Sequence, residues 1–476
     1  MTAITHSEDN DMKDSADKVI KIYAGRYFDS LNTEFVEKAI IVVSPDSGLI
    51  LDVQTYNSDE EINETVDFMD SQTNLDLRQS TVLPGFVDVH VHFFLHPYSE
   101  TSWEDQVTRE SLTERTVRAT VHAKQTLMAG FTAVRDLGTE GAEDADIALR
   151  GCISGPNPII PGPRYFCANR AIVPTGGYGP KNRLYPNRNG VEGITGAEVA
   201  DGVDGCVRAV RRQVGAGADW IKVYADYRFR TMMSDVAPAI AAEAHDTFTM
   251  EEINAIIDTS HRLGVKVAAH CNGNRASDFF NGTSGYHTFD SVEHAFSFNL
   301  SRKLNIESRP MWVPTLAVYY TTGRDNGRWD EVASNFTRVL KNIESSRDLI
   351  ACGGDTGPFP HGDNSLELKL MVRLGADYKM VLRWATFGGW VCIRSMRWEG
   401  DRGKERISKI GELNEDFRKV GDNEVPFGVI ARGFAADLIA TDGDLENDFE
   451  NAVDKSGISF VMKGGKIYKH HGVERV

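Results

Sequence analysis

The stretch Val87-Asp88-Val89-His90-Val91-His92 decides the fold prediction for this chain. Its strict alternation is typical of a β-strand in which the valines point to one side and Asp88, His90 and His92 point to the other. Such a strand forms the wall of an apolar core, where polar groups are costly unless they have a partner. Two imidazoles at i and i+2 can bind a divalent cation, although a pair of hydrogen-bonded core histidines explains this motif equally well.

The composition narrows the class of protein. At 476 residues, with 41% hydrophobic and 25% charged residues, the chain can form a large barrel and a smaller second unit. Its net charge of −17 disfavours nucleic acid and anionic membranes as partners and favours a small-molecule substrate. The six cysteines form no C-x-x-C pair, and no apolar run approaches the ~18 residues of a membrane span. We therefore expect a cytoplasmic protein with reduced thiols.

Both ends of the chain show a pattern of short strands. Residues 1–17 are polar and are predicted to be a disordered leader. Short apolar runs separated by turn residues fill 19–53, and the same pattern returns at 437–440 and 459–468. Neither end has enough strands for a stable sheet alone. We therefore expect both ends to form one small β-sandwich domain, its N-terminal part at 18–80 and its C-terminal part at 426–476.

Between these ends, residues 81–425 alternate apolar strands with amphipathic helices. Repeated βα units imply parallel strands with right-handed crossovers, so the sequence predicts an α/β fold and a (β/α)8 TIM barrel. An open doubly wound sheet is the alternative, and the lack of a glycine-rich nucleotide fingerprint after any strand disfavours it. The eight predicted strands cover 87–92, 131–136, 164–168, 220–224, 265–270, 291–294, 311–316 and 349–355.

Six polar residues fall at or near the C-terminal ends of these strands, where such barrels carry their reacting groups. A single histidine there is usually a packed core residue, but a coincidence of six favours a shared site. Lys222 is costly to bury unpaired, and an ion pair with Asp226 or Asp355 would explain it. A carbamate formed from carbon dioxide, with two oxygens to bridge two cations, explains it as well. The six residues are His90, His92, Lys222, His270, His294 and Asp355.

The order of these residues resembles the amidohydrolase superfamily, in particular its imidazolonepropionase-like and Xaa-Pro dipeptidase-like branch with the ochratoxinase-type amidases. The matching motifs lie at 83–92, 129–136, 220–223, 269–270, 292–294, 354–356 and 463–468. The resemblance implies two divalent metal ions, with zinc the best match, and a bridging hydroxide as nucleophile with Asp355 as its proton acceptor. It assigns His90, His92 and Asp355 to the more buried ion, His270 and His294 to the other, and N6-carboxylated Lys222 to both.

Candidate substrate-binding residues lie around these positions. In related dipeptidase-like enzymes, a tyrosine in the loop after the third strand approaches the substrate. Tyr178 has the corresponding position in this chain. Packing of its ring within the loop is an equally good explanation for this residue. Tyr224 points the same way as Lys222 if strand alternation continues, and Arg230 lies just beyond. His361 follows the eighth predicted strand and could overhang the mouth of the barrel.

The predicted function is hydrolysis of an amide C–N bond in a small molecule, a dipeptide or an N-acyl amino acid. One alternative is a non-hydrolytic reaction at the same site in secondary metabolism, such as decarboxylation, isomerisation or cyclisation. Its motive is the stretch Phe387-Gly388-Gly389-Trp390, where the family usually has small residues. Another alternative is a non-catalytic barrel that binds small molecules. Because barrels of this kind often associate, a homo-oligomer is possible.

Overall fold

A computed structural model describes the chain over eleven ranges. The predicted leader and Arg230 lie outside them. The described residues are 19–68, 73–154, 158–178, 196–229, 243–273, 276, 278–279, 287–295, 310–341, 349–412 and 425–475.

Helices and strands alternate through the middle of the chain, as predicted. The strands are β1 (Ile20–Asp29), β2 (Glu34–Ser44), β3 (Leu49–Thr55), β4 (Asn74–Pro84), β5 (Phe86–Val91), β6 (Phe131–Asp136), β7 (Arg164–Cys167), β8 (Ala171–Val173), β9 (Ala197–Val199), β10 (Trp220–Tyr224), β11 (Asp226–Arg228), β12 (Ala244–Asp246), β13 (Lys266–Cys271), β14 (Ser291–His294), β15 (Met311–Val313), β16 (Leu438–Thr441), β17 (Ile458–Lys463), β18 (Lys466–His470) and β19 (Val473–Glu474). The helices are α1 (Asp59–Thr65), α2 (Trp103–Arg109), α3 (Leu112–Met128), α4 (Ala145–Ile153), α5 (Gly202–Ala216), α6 (Met250–Arg262), α7 (Leu316–Thr322), α8 (Arg328–Leu340), α9 (Ser365–Arg373), α10 (Tyr378–Trp384), α11 (Phe387–Ile393), α12 (Gly400–Ser408) and α13 (Phe449–Ala452).

Local sequence sets the ends of these helices. Helix α6 begins at a capping box in which Thr249 and Glu252 satisfy each other's backbone N–H groups. Helix α5 ends at Gly217, whose φ of 112° is a left-handed conformation that suits glycine. None of the described helices combines the length and the apolar composition that a bilayer crossing requires.

The two ends of the chain form a single eight-stranded sheet, with the order β19-β18-β17-β16-β4-β1-β2-β3. The N-terminal and C-terminal halves join where β16 pairs antiparallel with β4. Strand β4 continues to Pro84, past the predicted boundary at residue 80, and leads directly into β5. This direct connection fixes the first strand of the central unit against the terminal sheet.

The central strands form parallel sheets. Strands β5, β6 and β7 pair in that order, and a second sheet has the order β15-β14-β13-β10-β8-β9. Backbone hydrogen bonds also link them, since Asp219 N donates to Cys167 O at 2.9 Å next to β10 and β7. Strands β10, β13 and β14 are therefore neighbours in one parallel sheet, and β5 belongs to the other.

The last two predicted strands differ from the prediction. The strand predicted at 311–316 ends at Val313, because Pro314 has no N–H to donate and Thr315, with φ 50°, begins helix α7. Residues 349–355 form isolated bridges instead of a regular strand, with Ile350 beside Trp312 and Thr356 beside Val91. This segment, 350–356, nevertheless lies between β15 and β5.

Buried polar contacts hold the terminal sheet against the central unit. Arg164 of β7 donates to both carboxylate oxygens of Asp437, at 2.6 and 3.0 Å, and both side chains are fully buried. Lys463 Nζ donates to the carbonyl oxygens of Ile153 and Gly162 at 3.2 and 2.8 Å. These charged groups are shielded from water. If the terminal sheet and the central unit were separated, their charges would lose their partners.

Candidate active site

Strand β5 and the segment 350–356 bring three predicted ligands together. His92 Nε2 lies 3.2 Å from Asp355 Oδ1, and His90 Nε2 lies 3.5 Å from the same oxygen. One nitrogen from each histidine and one carboxylate oxygen all lie within 4.8 Å of one another, so this group could hold a metal ion. Asp355 is positioned by the backbone, because its N–H donates to His90 O at 2.8 Å.

The other two predicted histidines adjoin this group. The ring centroids of His90 and His294 are 5.2 Å apart, and those of His294 and His270 are 4.5 Å apart. Strands β13 and β14 are paired in parallel, which places these two side chains at the same edge of the sheet. The four imidazoles therefore form one continuous cluster.

Two of these residues have left-handed backbone conformations. The φ of His294 is 70° and that of Asp355 is 59°. Such conformations are disfavoured for residues with a side chain, and proteins retain them mainly where a fixed geometry serves a function. The turn at each residue ends its strand segment and aims the side chain into the cluster.

Lys222 is the sixth member of the predicted set. Its side chain is only 1% exposed, and its Nζ has no hydrogen-bond partner among the described residues. The ion pairs considered for it do not form, since Asp226 accepts the backbone N–H groups of Asn272 and Gly273 instead. Burial lowers the pKa of Lys222 to about 8, which makes the neutral, nucleophilic amine accessible.

Hydrogen bonds at the far side of three rings fix their orientation. His90 Nδ1 lies 2.9 Å from Glu293 Oε2, His92 Nδ1 lies 2.8 Å from the carbonyl of Gly138, and His294 Nδ1 lies 2.8 Å from Thr315 Oγ1. A carboxylate or carbonyl at Nδ1 requires the proton on that nitrogen. The Nε2 atoms of His90 and His92 are then free to bind a cation.

Glu293, which the sequence analysis did not single out, is the charged partner of His90. Its side chain is fully buried, and its Oε1 accepts Arg135 Nη2 at 2.8 Å and Ser291 Oγ at 2.6 Å. Despite its burial, the Arg135 guanidinium and the His90 hydrogen bond hold the pKa of Glu293 well below its usual range. The signal in the sequence was a carboxylate directly before His294 in an otherwise apolar strand.

The electrostatics of the cluster suit cation binding. Burial lowers the pKa of His90 to about 4 and that of His294 to about 3, so both rings are neutral near pH 7. Burial acts in the same direction on His92, but the hydrogen bond and charge of Asp355 raise its pKa to about 9. His92 must therefore lose the proton on Nε2 before that nitrogen can bind a metal ion.

A close backbone approach supports this arrangement. A Cβ atom on Gly353 would lie 2.8 Å from His90 Cβ and 2.9 Å from His90 N. Since real Cβ contacts are not this short, only glycine allows the segment 350–356 to pack directly on β5.

The predicted substrate residues are placed differently from one another. Tyr178 is buried against Tyr224, with ring centroids 5.2 Å apart, and Tyr224 packs on His270 at 4.5 Å. His361 does not join them. Its Nε2 lies 2.9 Å from Leu95 O, and its ring stacks on His122 at 4.2 Å, which is the environment of a packed side chain.

The unusual stretch at 387–390 packs away from the cluster. A Cβ on Gly389 would lie 2.4 Å from Val87 Cβ, so this glycine allows α11 to rest on β5. Trp390 is buried and contacts Trp398 and Phe434, at centroid distances of 5.9 and 6.2 Å. The departure from the family pattern therefore changes the packing behind β5 and leaves the cluster untouched.

Comparison with known proteins agrees with this geometry. The model of the amidohydrolase family matches residues 81–393, which is more than half of the chain. The chain belongs to the amidohydrolase family. It is thus a hydrolase acting on carbon–nitrogen bonds, as the sequence predicted.

Several amidohydrolase relatives cover most of the chain. The ochratoxinase of Aspergillus niger is 26% identical over 421 residues, which is 83% of this chain and 77% of the relative. A crystal structure of a Xaa-Pro dipeptidase with bound methionine in the active site is 25% identical, with a TM-score of 0.68, over 95% of this chain and all of that one. The crystal structure of A. niger ochratoxinase has a TM-score of 0.68 at 22% identity, over 96% of this chain and 97% of that one.

The side chains of the cluster are of the chemical types that bind divalent metal ions. Neutral imidazoles and a carboxylate are ligands that zinc and similar divalent ions prefer. The amine of Lys222, also in the predicted ligand set, is fully buried and has no hydrogen bond among the described residues. A carbamate formed on this amine would be an anion, and its two oxygens could bind metal ions.

Proposed function

We propose that this protein is a metal-dependent amidohydrolase that cleaves the amide C–N bond of a small molecule, such as a dipeptide or an N-acyl amino acid. The observation that carries the proposal is the position of Lys222. Its amine is buried without a hydrogen bond, and in addition to burial its charge lowers the pKa values of His90, His270 and His294, three rings of the cluster. A side chain kept in this state is costly unless it is modified or reacts.

The proposed cofactors are two divalent ions, with Zn²⁺ as the best match to the ligand types, and N6-carboxylysine at Lys222. His90, His92 and Asp355 would hold one ion, and His270 and His294 the other. In this proposal the strands from β5 to β15 and the segment 350–356 close into a (β/α)8 barrel. The terminal strands would form the small β-sandwich domain outside it, with boundaries near 81 and 425.

Bound cations would supply a water of lowered pKa and polarise the substrate carbonyl. Asp355 would take the proton of the attacking water and pass it to the leaving nitrogen. The surrounding histidines hold the pKa of Asp355 well below its usual range despite its burial, so the carboxylate is ionised before a substrate binds. Its side chain is 16% exposed and so reaches the open space where a substrate would bind.

The experiment begins with elemental analysis of the purified protein, followed by hydrolysis assays on a panel of N-acyl amino acids and Xaa-Pro dipeptides. Chelation and Asp355→Asn should abolish turnover. Wild-type turnover in Asp355→Asn would refute the assigned proton transfer. Asp363→Asn is a matched control, because this carboxylate lies on the surface and pairs with Lys455.

Lys222→Ala tests the carbamate directly. This variant should lose metal and turnover, and added acetate or propionate should restore part of both by supplying carboxylate oxygens in the vacated space. Restoration by chloride at the same ionic strength would contradict the bridging role.

Oxygen-18 water separates hydrolysis from the non-hydrolytic alternative, since a hydrolytic product must carry the label. That alternative has lost its motive, because Trp390 packs behind β5. A metal-free preparation that binds small molecules equally well would favour the non-catalytic barrel. A cytoplasmic location and a homo-oligomer stay predictions.

A further inference from the structure

A second carboxylate lies beside the metal cluster and has no part in the proposed chemistry. Glu140 follows β6, and its side chain is only 4% exposed. It accepts hydrogen bonds from Tyr178 Oη and, at 3.2 Å, from Trp103 Nε1, both of which are neutral donors. The neighbouring Arg115 donates to the carbonyl oxygens of Phe94 and Thr139 instead, at 3.0 Å each.

Glu140 is thus a buried carboxylate whose hydrogen bonds, among the described residues, come from neutral donors. Burial raises its pKa, and the charges of His92 and Arg115 lower it again in part, although neither side chain forms an ion pair with it. Desolvation of a carboxylate costs several kilocalories per mole unless a counter-charge compensates it. The backbone adds to this cost, because Glu140 has a φ of 51° between Gly138 and Gly141, which are also left-handed. Proteins retain such conformations mainly where a fixed geometry is needed.

Aromatic rings surround this carboxylate on the side of the cluster. The ring centroid of Tyr178 lies 5.6 Å from Trp103, 5.2 Å from Tyr224 and 5.8 Å from Tyr227. Burial raises the pKa of Tyr224 well above its usual value, and the negative charge of Glu140 raises it further, so the two groups lie close together. The rings continue to His270, whose centroid is 4.5 Å from that of Tyr224.

The packing around this carboxylate is tight. A Cβ on Gly196, where φ is 99°, would lie 3.2 Å from Glu140 C and 3.3 Å from Tyr178 Cε1. The Glu140–Tyr178 pair is therefore held in place before any ligand arrives, which reduces the entropy that binding must overcome.

We infer that Glu140 and the rings of Trp103, Tyr178, Tyr224 and Tyr227 bind the protonated amine of the substrate. An anionic group next to a cluster of aromatic rings is the chemistry that recognises an ammonium ion, through a charge-assisted hydrogen bond and cation–π attraction. The rings of Tyr178 and Tyr224 connect this carboxylate to His270, so the amine would bind on the side of the histidine cluster. The substrate class is an aminoacyl amide or dipeptide with a free amino group.

This inference rests on the proposed hydrolytic function, and the test separates the two. The metal-loaded enzyme is given each amide in three forms that differ at one position: the free amine, its N-acetyl derivative, and a 2-hydroxyacyl analogue that keeps the size but not the charge. We expect kcat/KM to favour the amine by about 10- to 100-fold over both others, as a charge-assisted hydrogen bond would. Equal turnover of the three forms overturns the inference alone, and turnover of none overturns the proposed function with it.

Variants locate the effect. Glu140→Gln should reduce the preference for the amine by about tenfold or more. Glu143→Gln, an exposed carboxylate three residues away, removes the same charge and should keep the preference. Metal content and thermal unfolding show whether the Glu140→Gln variant is folded. If it is not folded, the inference is still tested by the preference of the wild-type enzyme among the three substrates. A preference that survives in folded Glu140→Gln overturns the assignment to this residue.

Discussion

The substitution Glu293→Gln should move the proton of His90 from Nδ1 to Nε2. In that tautomer, Nε2 can no longer bind a metal ion. The amide keeps the shape of the carboxylate, so its oxygen can still accept from Arg135 and Ser291. Its NH2 group then faces His90 Nδ1, where Glu293 Oε2 lies 2.9 Å away. Because the amide donates, Nδ1 must become an acceptor, and the proton moves to the Nε2 that faces Asp355.

The magnitude follows from the two interactions that are lost. A hydrogen-bonding partner of a ligand histidine is worth about 10- to 100-fold in metal affinity. The charge of Glu293 also compensates the guanidinium of Arg135, and both side chains are fully buried. Removing one member of such a pair costs about 3–5 kcal/mol of unfolding free energy, of which the retained hydrogen bonds recover a part.

Metal affinity should be measured by competition with a chelator, and stability by urea unfolding of the chelated protein. Glu367→Gln is a matched control, because this glutamate is equally buried but accepts from the backbone N–H of Ala317 and has no cationic partner among the described residues. The tautomer argument would be refuted if the Glu293→Gln and Glu367→Gln variants both bound metal with wild-type affinity.

Three further outcomes follow from contacts described above. Asp437→Asn removes the buried counter-charge of Arg164 and should lower the unfolding free energy by about 3–5 kcal/mol, measured by urea unfolding, and an unchanged midpoint would contradict it. Gly353→Ala places a Cβ 2.8 Å from His90 Cβ and should cost about 1–3 kcal/mol and weaken metal binding, as thermal unfolding and chelator competition would show. Burial raises the pKa of Glu367 to about 8 from 4.5, so its contribution to stability is complete below pH 4.5 and is lost as the pH rises through 8. The wild type should therefore lose on the order of 4 kcal/mol over this range in urea titrations, and Glu367→Gln should not.

Strand alternation and strand ends were enough to single out six candidate residues. Strand β5 covers Phe86–Val91, so His90 lies within it and His92 follows it directly. Alternation also implies that neighbours point to opposite sides, so Glu293 and His294 would not be expected at one site. The left-handed turn at His294, with φ 70°, breaks that rule, and it has no signature in the residue types.

The residues outside regular strands were harder to predict. Glu140 lies in a loop whose path depends on successive left-handed conformations, so no periodicity points to it. His361 was placed near the mouth by its position in the sequence, but the stack on His122 and the bond to Leu95 O are tertiary contacts without a local pattern. Tyr178 was found because its place in a family loop was informative, and the structure adds that its hydroxyl is bonded to Glu140.

The pairing of β4 with β16 has a consequence for how this chain matures on the ribosome. Strand β4 is synthesised early, yet its neighbour at Leu438–Thr441 emerges some 350 residues later. Until then, one hydrogen-bonding edge of β4 stays open, and exposed edges invite association with other nascent chains. Chaperone capture should therefore be strongest for ribosome-bound intermediates arrested before residue 438, and should fall once that strand has left the exit tunnel.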